Sequence, residues 1–589
     1  MKEEKYNWNL KDIFQNEEDF QIAKKEIKDK LSKISEYKGN ICNTSENLYN
    51  CYKIYEDTLK LFDKVYSYGM FKYHLNMADQ EGIKKFKEVE SLASEFSIAT
   101  AFIVPEISYT DEKIINKYLE ENSKLKKYER DIKETLEKKK HILSKKEEEL
   151  LSNYSEVFSA PENIFDILTN AEFKFGKLID EDGKEVEMTD ATYTIYLKSQ
   201  NENVRKQAFS LMYKKYSEYI NTIAEIYLAN VKKTSISSKL RNYKSSLEAA
   251  TENDDATIAV YQALMDGVNN SLNINYEFIK LKKELLNKKE IHMYDLYVNP
   301  FETGKDEISF EEAKKQVLDA LSVLGEEYIA KLEEAFDSRW IDVFPKDNKI
   351  GGAYSSGVYG LHPFVLMNFT NSKRDVSTIA HELGHSMHSF YANSCQNIID
   401  SGYTIMVAEV ASTVNEILLS DYQIKNEKNP KKKIEIIYEL LEMIRATFYR
   451  QSMFAEFEKI VHEKIENSEV LSSQDLNDIY YKLNEKYFGK DIIIDKEIQY
   501  EWARIPHFYT DFYVYKYSTG ISAAICIAEK ILNGEEGIVE KYISMLKQGK
   551  MKKSIDLLKM VDVDLENPET YVKTAKFYQN KINELKSLL

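Results

Sequence analysis

Cysteine is scarce, with four residues in 589 (Cys42, Cys51, Cys395 and Cys526) and no C-x-x-C pair among them. That scarcity argues against a disulfide scaffold or a thiolate zinc site and makes a reducing cytoplasm the expected compartment. Long apolar runs are missing too: no stretch reaches 18 apolar residues, and Ile521 to Ala528, one of the most apolar segments, is of core-helix length at best. The opening Met1-Lys2-Glu3-Glu4-Lys5-Tyr6 leads into polar sequence without the apolar core of a signal peptide, so a soluble protein is expected. No long basic run occurs, and Lys and Arg (81) are outnumbered by Asp and Glu (98), giving a net charge of −17. This balance excludes nucleic acid and anionic membranes as expected partners.

What is present is mostly helical pattern. A chain of 589 residues exceeds one hydrophobic core, so two or three lobes and an enclosed cleft are expected. From Tyr6 to about Ser152, apolar residues recur every third or fourth position with Pro105 as the interior breaker, and the charged run Glu112 to Glu149 reads as a solvated helical hairpin. Pro161 breaks the pattern, and Phe173 to Ile179, Asp182-Gly183 and Val186 read as a β-hairpin. Helical spacing resumes from about Asn203 to Leu286 and again from about Ser309 to Phe336. We therefore expect a mostly α fold, with an N-terminal helical lobe over 1–195 carrying the hairpin near its end and a catalytic region over 196–589. Glycine-rich Ile350 to Gly360 and β-prone Pro363 to Phe369 predict two short strands, an edge of which suits either an extended peptide or a plain structural hairpin.

Those strands lead into His381-Glu382-Leu383-Gly384-His385, an HExxH motif. Histidines four apart lie on one helix face and both reach a single tetrahedral zinc ion, with Glu382 placed as general base. With 9 histidines and 98 acidic residues in the chain, such a match is expected by chance about 0.02 times, so accident is a poor explanation. Ser372 and Asp375 form a capping box, which predicts a helix over about 372–391. On it Val376, Ile379, Ala380, Leu383, Met387 and Phe390 share one side, and His381, His385 and His388 the other. Gly384 should cost this helix about 1 kcal/mol relative to alanine, which makes sense if something approaches its backbone closely.

A catalytic zinc site needs a third protein ligand. The pattern HExxHxxGxxH fails here, because His388 stands where glycine should be and Tyr391 where histidine should be, so His388 is read as packing or as support for a ligand. An amphipathic helix over about 405–419 carries Glu409 and Glu416 on its polar arc, and spacing alone does not choose between them. Further on, the segment 505–520 concentrates His507, Tyr509, Tyr513, Tyr515 and Tyr517, whose donors suit a developing oxyanion or ordinary packing.

Three stretches carry a resemblance: Arg374 to His388, Val407 to Ile417 and Pro506 to Gly520, with weaker echoes at Trp8-Asn-Leu, Tyr294-Asp-Leu and Gly351-Gly-Ala-Tyr354. They resemble the thimet-oligopeptidase family of zinc peptidases, most closely its oligoendopeptidase F branch. The resemblance implies His381, His385 and Glu409 as ligands of one zinc ion and Glu382 as the base. Glu416 would then only support a ligand, and His507, Tyr509 and Tyr515 would stabilise the transition state, with Tyr513 an alternative to either tyrosine. It further implies a multi-lobed helical clamshell, a small β element beside the zinc helix and a deep channel that admits short unstructured peptides. The expected activity is cleavage of internal bonds, with dipeptidyl carboxypeptidase action or inactive peptide binding as alternatives. The oligomeric state is left open.

Overall fold

The computed structural model describes residues 4–301 and 307–589, apart from the side chains of Lys145 and Glu149. The fold is mostly α-helical, as expected, with two small sheets among the described residues. No helix of the described residues is long and apolar enough to cross a membrane. The chain folds into two compact units, one formed by Met1–Ile142, Lys305–Asn426 and Ile527–Val563 and the other by Leu143–Gly304, Glu427–Cys526 and Asp564–Leu589.

In the first unit, long helices Glu17–Ser35, Ser45–Leu75 and Gln80–Thr100 are each started by a side-chain cap, from Asn16, Thr44 and Asp79, which satisfies amide groups that a helix leaves open. Their inner faces (Phe20, Ile27, Val65, Phe71, Val89) share one core with Phe364 and Leu366 of a three-stranded sheet. That sheet has β3 (Ile341–Asp342), β4 (Tyr354–Ser356) and β5 (Phe364–Leu366) in the order β3-β5-β4, parallel between β3 and β5 and antiparallel between β4 and β5. β4 and β5 are the two expected strands; β3, two residues long, carries no alternation for a sequence reading to detect. Trp8 ties the start of the chain to this sheet, its indole donating to the Trp340 carbonyl at 2.9 Å and its backbone N–H to Asp342 at 3.2 Å.

The second unit holds the hairpin, with β1 (Lys177–Ile179) antiparallel to β2 (Glu185–Glu187) and Gly183 at φ +77° in the turn. Its core is aromatic: Phe457 lies 5.3 Å from Phe508 and 6.2 Å from Trp502 between ring centroids. Asp295 of the Tyr294-Asp-Leu echo is fully buried and takes Arg205 at 2.5 Å, so that pair anchors the break between helices.

Two local expectations need correction. Pro161 does not break a helix; it lies inside Ser155–Asp166, which ends in the wider π turn Ile167–Glu172. The charged run 112–149 is not one hairpin but short helices, Glu112–Glu121, Glu129–Glu137 and the start of Lys145–Asn153. Asn122 and Ser144 accept amides there as turn and capping residues, so local side-chain bonds interrupt what propensity alone would join.

Candidate metal centre

The motif helix runs Lys373–Cys395 and begins with the expected capping box, the Ser372 N–H donating to Asp375 at 3.0 Å and the Asp375 N–H to Ser372 at 3.3 Å. Val376, Ile379, Ala380, Leu383 and Met387 are fully buried. On the other side the His381 and His385 rings meet edge to face, 4.8 Å between centroids, and bring their Nε2 atoms within 3.2 Å of each other. His388 does not join them. Its ring is buried flat on Tyr403, with 3.6 Å between centroids, and burial pushes its pKa down to about 3, so it packs as a neutral ring.

The crossing helix Ile405–Asn426 touches the motif helix at Gly384. A Cβ at Gly384 would stand 2.5 Å from the Ser412 Cα and 2.6 Å from the Ala411 carbonyl oxygen, so only glycine allows this approach. Asn415 locks it, donating to the Ala380 carbonyl at 3.0 Å and accepting from the buried Tyr328 hydroxyl at 3.3 Å. The crossing resolves two glutamates that spacing alone could not separate. Glu409 reaches to 3.8 Å from His381 Nε2, whereas Glu416 lies 3.4 Å from the opposite nitrogen, Nδ1, and also accepts from Ser377 at 3.1 Å. One ligand atom from each of His381, His385 and Glu409 lies within 4.8 Å of the others.

This donor set fits a metal ion. Bonds of about 2.0–2.1 Å to a tetrahedral centre place neighbouring donors about 3.3 Å apart, close to the 3.2 Å between the imidazole nitrogens. The electrostatics point the same way. Burial disfavours charge on His381, yet Glu416, helped by Glu382 and Glu409, holds its pKa up at about 9. Burial and the His381 charge press His385 down to about 3, while the Ala408 backbone hydrogen-bonds to it. Glu409 is raised by burial. Carboxylates and imidazoles gathered out of water in this way are satisfied together by a cation.

Glu382 faces a different partner. Its carboxyl is buried, which lifts its pKa to about 7, while the backbone N–H of Ser355 on β4 favours the charged form. β4 is an edge strand, and Ser355 also meets Ser386 of the motif helix at 2.8 Å. Glu382 thus faces a sheet edge with peptide hydrogen-bonding capacity.

In the second unit, Pro506–Tyr509 forms a 3₁₀ turn and helix Tyr515–Leu532 begins. Half-buried His507 sits with Tyr513 (5.8 Å between centroids) and Tyr517 (5.9 Å), and the Tyr517 hydroxyl lies 3.4 Å from His507 Nε2. Burial and the Arg450 charge lower the His507 pKa, favouring a neutral ring. Tyr509 and Tyr515 are not part of this cluster. The Tyr509 ring stacks on Phe165 at 4.4 Å, and Tyr515 is fully buried with its hydroxyl donating to Asp254 at 2.8 Å. Tyr517, one of the candidate donors of segment 505–520, lies outside the pair that the resemblance implies; residues two apart on one helix point about 200° apart, so Tyr515 and Tyr517 cannot both accompany His507.

Comparison with known proteins agrees over nearly the whole chain. The model for peptidase family M3 matches residues 195–577, and the model for the N-terminal part of oligopeptidase F matches residues 106–175. Oligopeptidase PepF of Bacillus subtilis is 38% identical over 587 residues, covering 99% of this chain and 87% of its own. A plasmid-borne oligoendopeptidase F of Lactococcus lactis subsp. cremoris is 34% identical over 591 residues, covering 100% of this chain and 98% of its own. The crystal structure of oligoendopeptidase-F from Enterococcus faecium superposes with a TM-score of 0.75 at 30% identity, covering 97% of this chain and 99% of that one. A peptidase structure from Chlamydophila abortus gives 0.90 at 31%, covering 99% and 98%. The chain carrying the His381, His385 and Glu409 cluster therefore belongs to peptidase family M3, in its oligoendopeptidase F branch, and is a metallopeptidase.

Proposed function

We propose that this protein is a zinc-dependent oligoendopeptidase that cleaves internal bonds of short unstructured peptides, in the cytoplasm, with its catalytic region over residues 196–589. The observation that carries the reading is the convergence of His381, His385 and Glu409, with Glu382 on the same helix as the two histidines. The names of the relatives, oligopeptidase and oligoendopeptidase, support the substrate class, the family model beginning at residue 195 supports the region, and a content of only four cysteines suits a reducing compartment.

His381, His385 and Glu409 would hold the ion, and Glu416 at His381 Nδ1 would fix that ring's orientation. When bound, zinc supplies a Lewis acid that brings the pKa of water towards about 7 and polarises a peptide carbonyl. Glu382 accepts the proton of the attacking water and passes it to the leaving amine. The β4 edge aligns the peptide backbone, and His507 with Tyr513 or Tyr517 donates hydrogen bonds to the developing oxyanion.

The tyrosine assignment has its own test. Tyr517→Phe should lower kcat by about 10²–10³-fold if its hydroxyl serves the oxyanion. Tyr515→Phe should keep turnover and cost on the order of 1–2 kcal/mol of stability, since Asp254 loses a partner. Steady-state kinetics beside thermal melts of both variants separate these outcomes, and a kcat loss confined to Tyr515→Phe would reverse the assignment. The endopeptidase reading is checked with one peptide carrying a free or an amidated C-terminus. Internal cuts at similar kcat/KM in both are expected; removal of a C-terminal dipeptide from the free form alone would mean carboxypeptidase action.

A further inference from the structure

The turn that follows His507 is held in a conformation its sequence does not favour. Phe512 has φ +54°, a left-handed backbone that a bulky residue adopts only under constraint. The constraint comes from helix Gln451–Glu466. Glu458, fully buried, accepts the Phe512 N–H at 2.9 Å, and its second carboxylate oxygen has no hydrogen-bond partner among the described residues. One turn along the same helix, buried His462 packs its ring 4.5 Å from that of Phe512 and reaches to 3.3 Å from Asp511. Asp511 is gripped from the other side by Asn230 at 3.0 Å and by Thr234, both on helix Ile220–Leu240. Residues 511 and 512 are therefore clamped between two helices, and the chain on either side carries His507 and the pair Tyr513 and Tyr517.

A buried carboxyl with an idle oxygen is costly, and a hydrophobic side chain would fill the same volume at less cost. The benefit lies in what the Phe512 amide positions. We infer that Glu458 is a positioning residue for the His507 cluster, acting through the Phe512 backbone N–H to hold the strained turn. The inference rests on the proposed role of that cluster in the reaction. Without the acceptor, Phe512 relaxes towards negative φ, the direction of the chain changes at that residue, and Tyr513 and Tyr517 move relative to His507.

Three variants and one measurement on the native enzyme test this. Glu458→Leu removes the acceptor at similar volume and should lower kcat by about 100-fold, with KM within about threefold and zinc content unchanged. Glu458→Gln keeps an acceptor oxygen and should stay within about threefold of wild type in kcat. His507→Ala reports on the underlying reading: if it leaves kcat intact, the cluster has no part in the reaction and that reading falls first. If His507→Ala loses turnover while Glu458→Leu does not, or if Glu458→Gln falls as far as Glu458→Leu, the positioning role is wrong. Should Glu458→Leu fail to fold, amide hydrogen exchange of the wild-type enzyme decides. The Phe512 amide should exchange among the slowest in the chain, and exchange at the rate of an exposed amide overturns the inference.

Discussion

Glu382→Gln is expected to keep the fold and the metal while kcat falls by about 10³-fold. Glu382 lies outside the trio whose ligand atoms converge, so the site for the ion is intact in the variant. The carboxamide has the same shape and keeps an oxygen beside the Ser355 backbone, so the packing against β4 survives. What is lost is the ability to take a proton from water and return it to the amine. Metal analysis of the purified variant beside its kinetics distinguishes this from a structural effect: one zinc per chain with turnover nearly abolished is the expected pair of results. Unimpaired cleavage would remove Glu382 from the reaction, and loss of zinc would make it part of the metal site.

Gly384→Ala is expected to damage the fold and the metal site together. On an exposed helix the change would add about 1 kcal/mol of helix stability. Here the new carbon would lie 2.5 Å from the Ser412 Cα and 2.6 Å from the Ala411 carbonyl, against ordinary contacts of about 3.5–4.0 Å. Both neighbours are backbone and cannot rotate aside, so the two helices must separate by about 1 Å. Glu409 precedes Ser412 by less than one turn and moves with it. Zinc affinity should fall by tenfold or more and the melting temperature should drop as well. Gly402→Ala, where nothing lies within 4 Å, is the control and should change neither. Wild-type affinity and stability in Gly384→Ala would mean that the helix crossing does not set the position of Glu409.

How far the site was legible in the sequence follows from the range of each signal. The motif helix, its Ser372 cap and the close approach at Gly384 are local, set by periodicity, capping and the cost of glycine. The choice between Glu409 and Glu416 is not local: both lie on the polar arc of one helix, and only the crossing with the motif helix directs them to opposite nitrogens of His381. The tyrosines near His507 are hard to tell apart for a related reason. Their rings are chemically alike, and which of them stays with His507 depends on the turn at Phe512 and on Asp254, far away in sequence. β3 escaped because a two-residue strand has no pattern of its own, and Pro161 misled because a proline removes one helical hydrogen bond without always ending the helix.

The most direct test of the whole reading is cleavage of an internally quenched peptide of about ten residues, blocked at both ends, before chelation, after it and after zinc is returned. The expected result is internal cuts, identified by mass, that vanish with the chelator and return in proportion to added zinc up to one ion per chain. Cleavage that persists in metal-free protein, or none in protein carrying one zinc per chain, would contradict it.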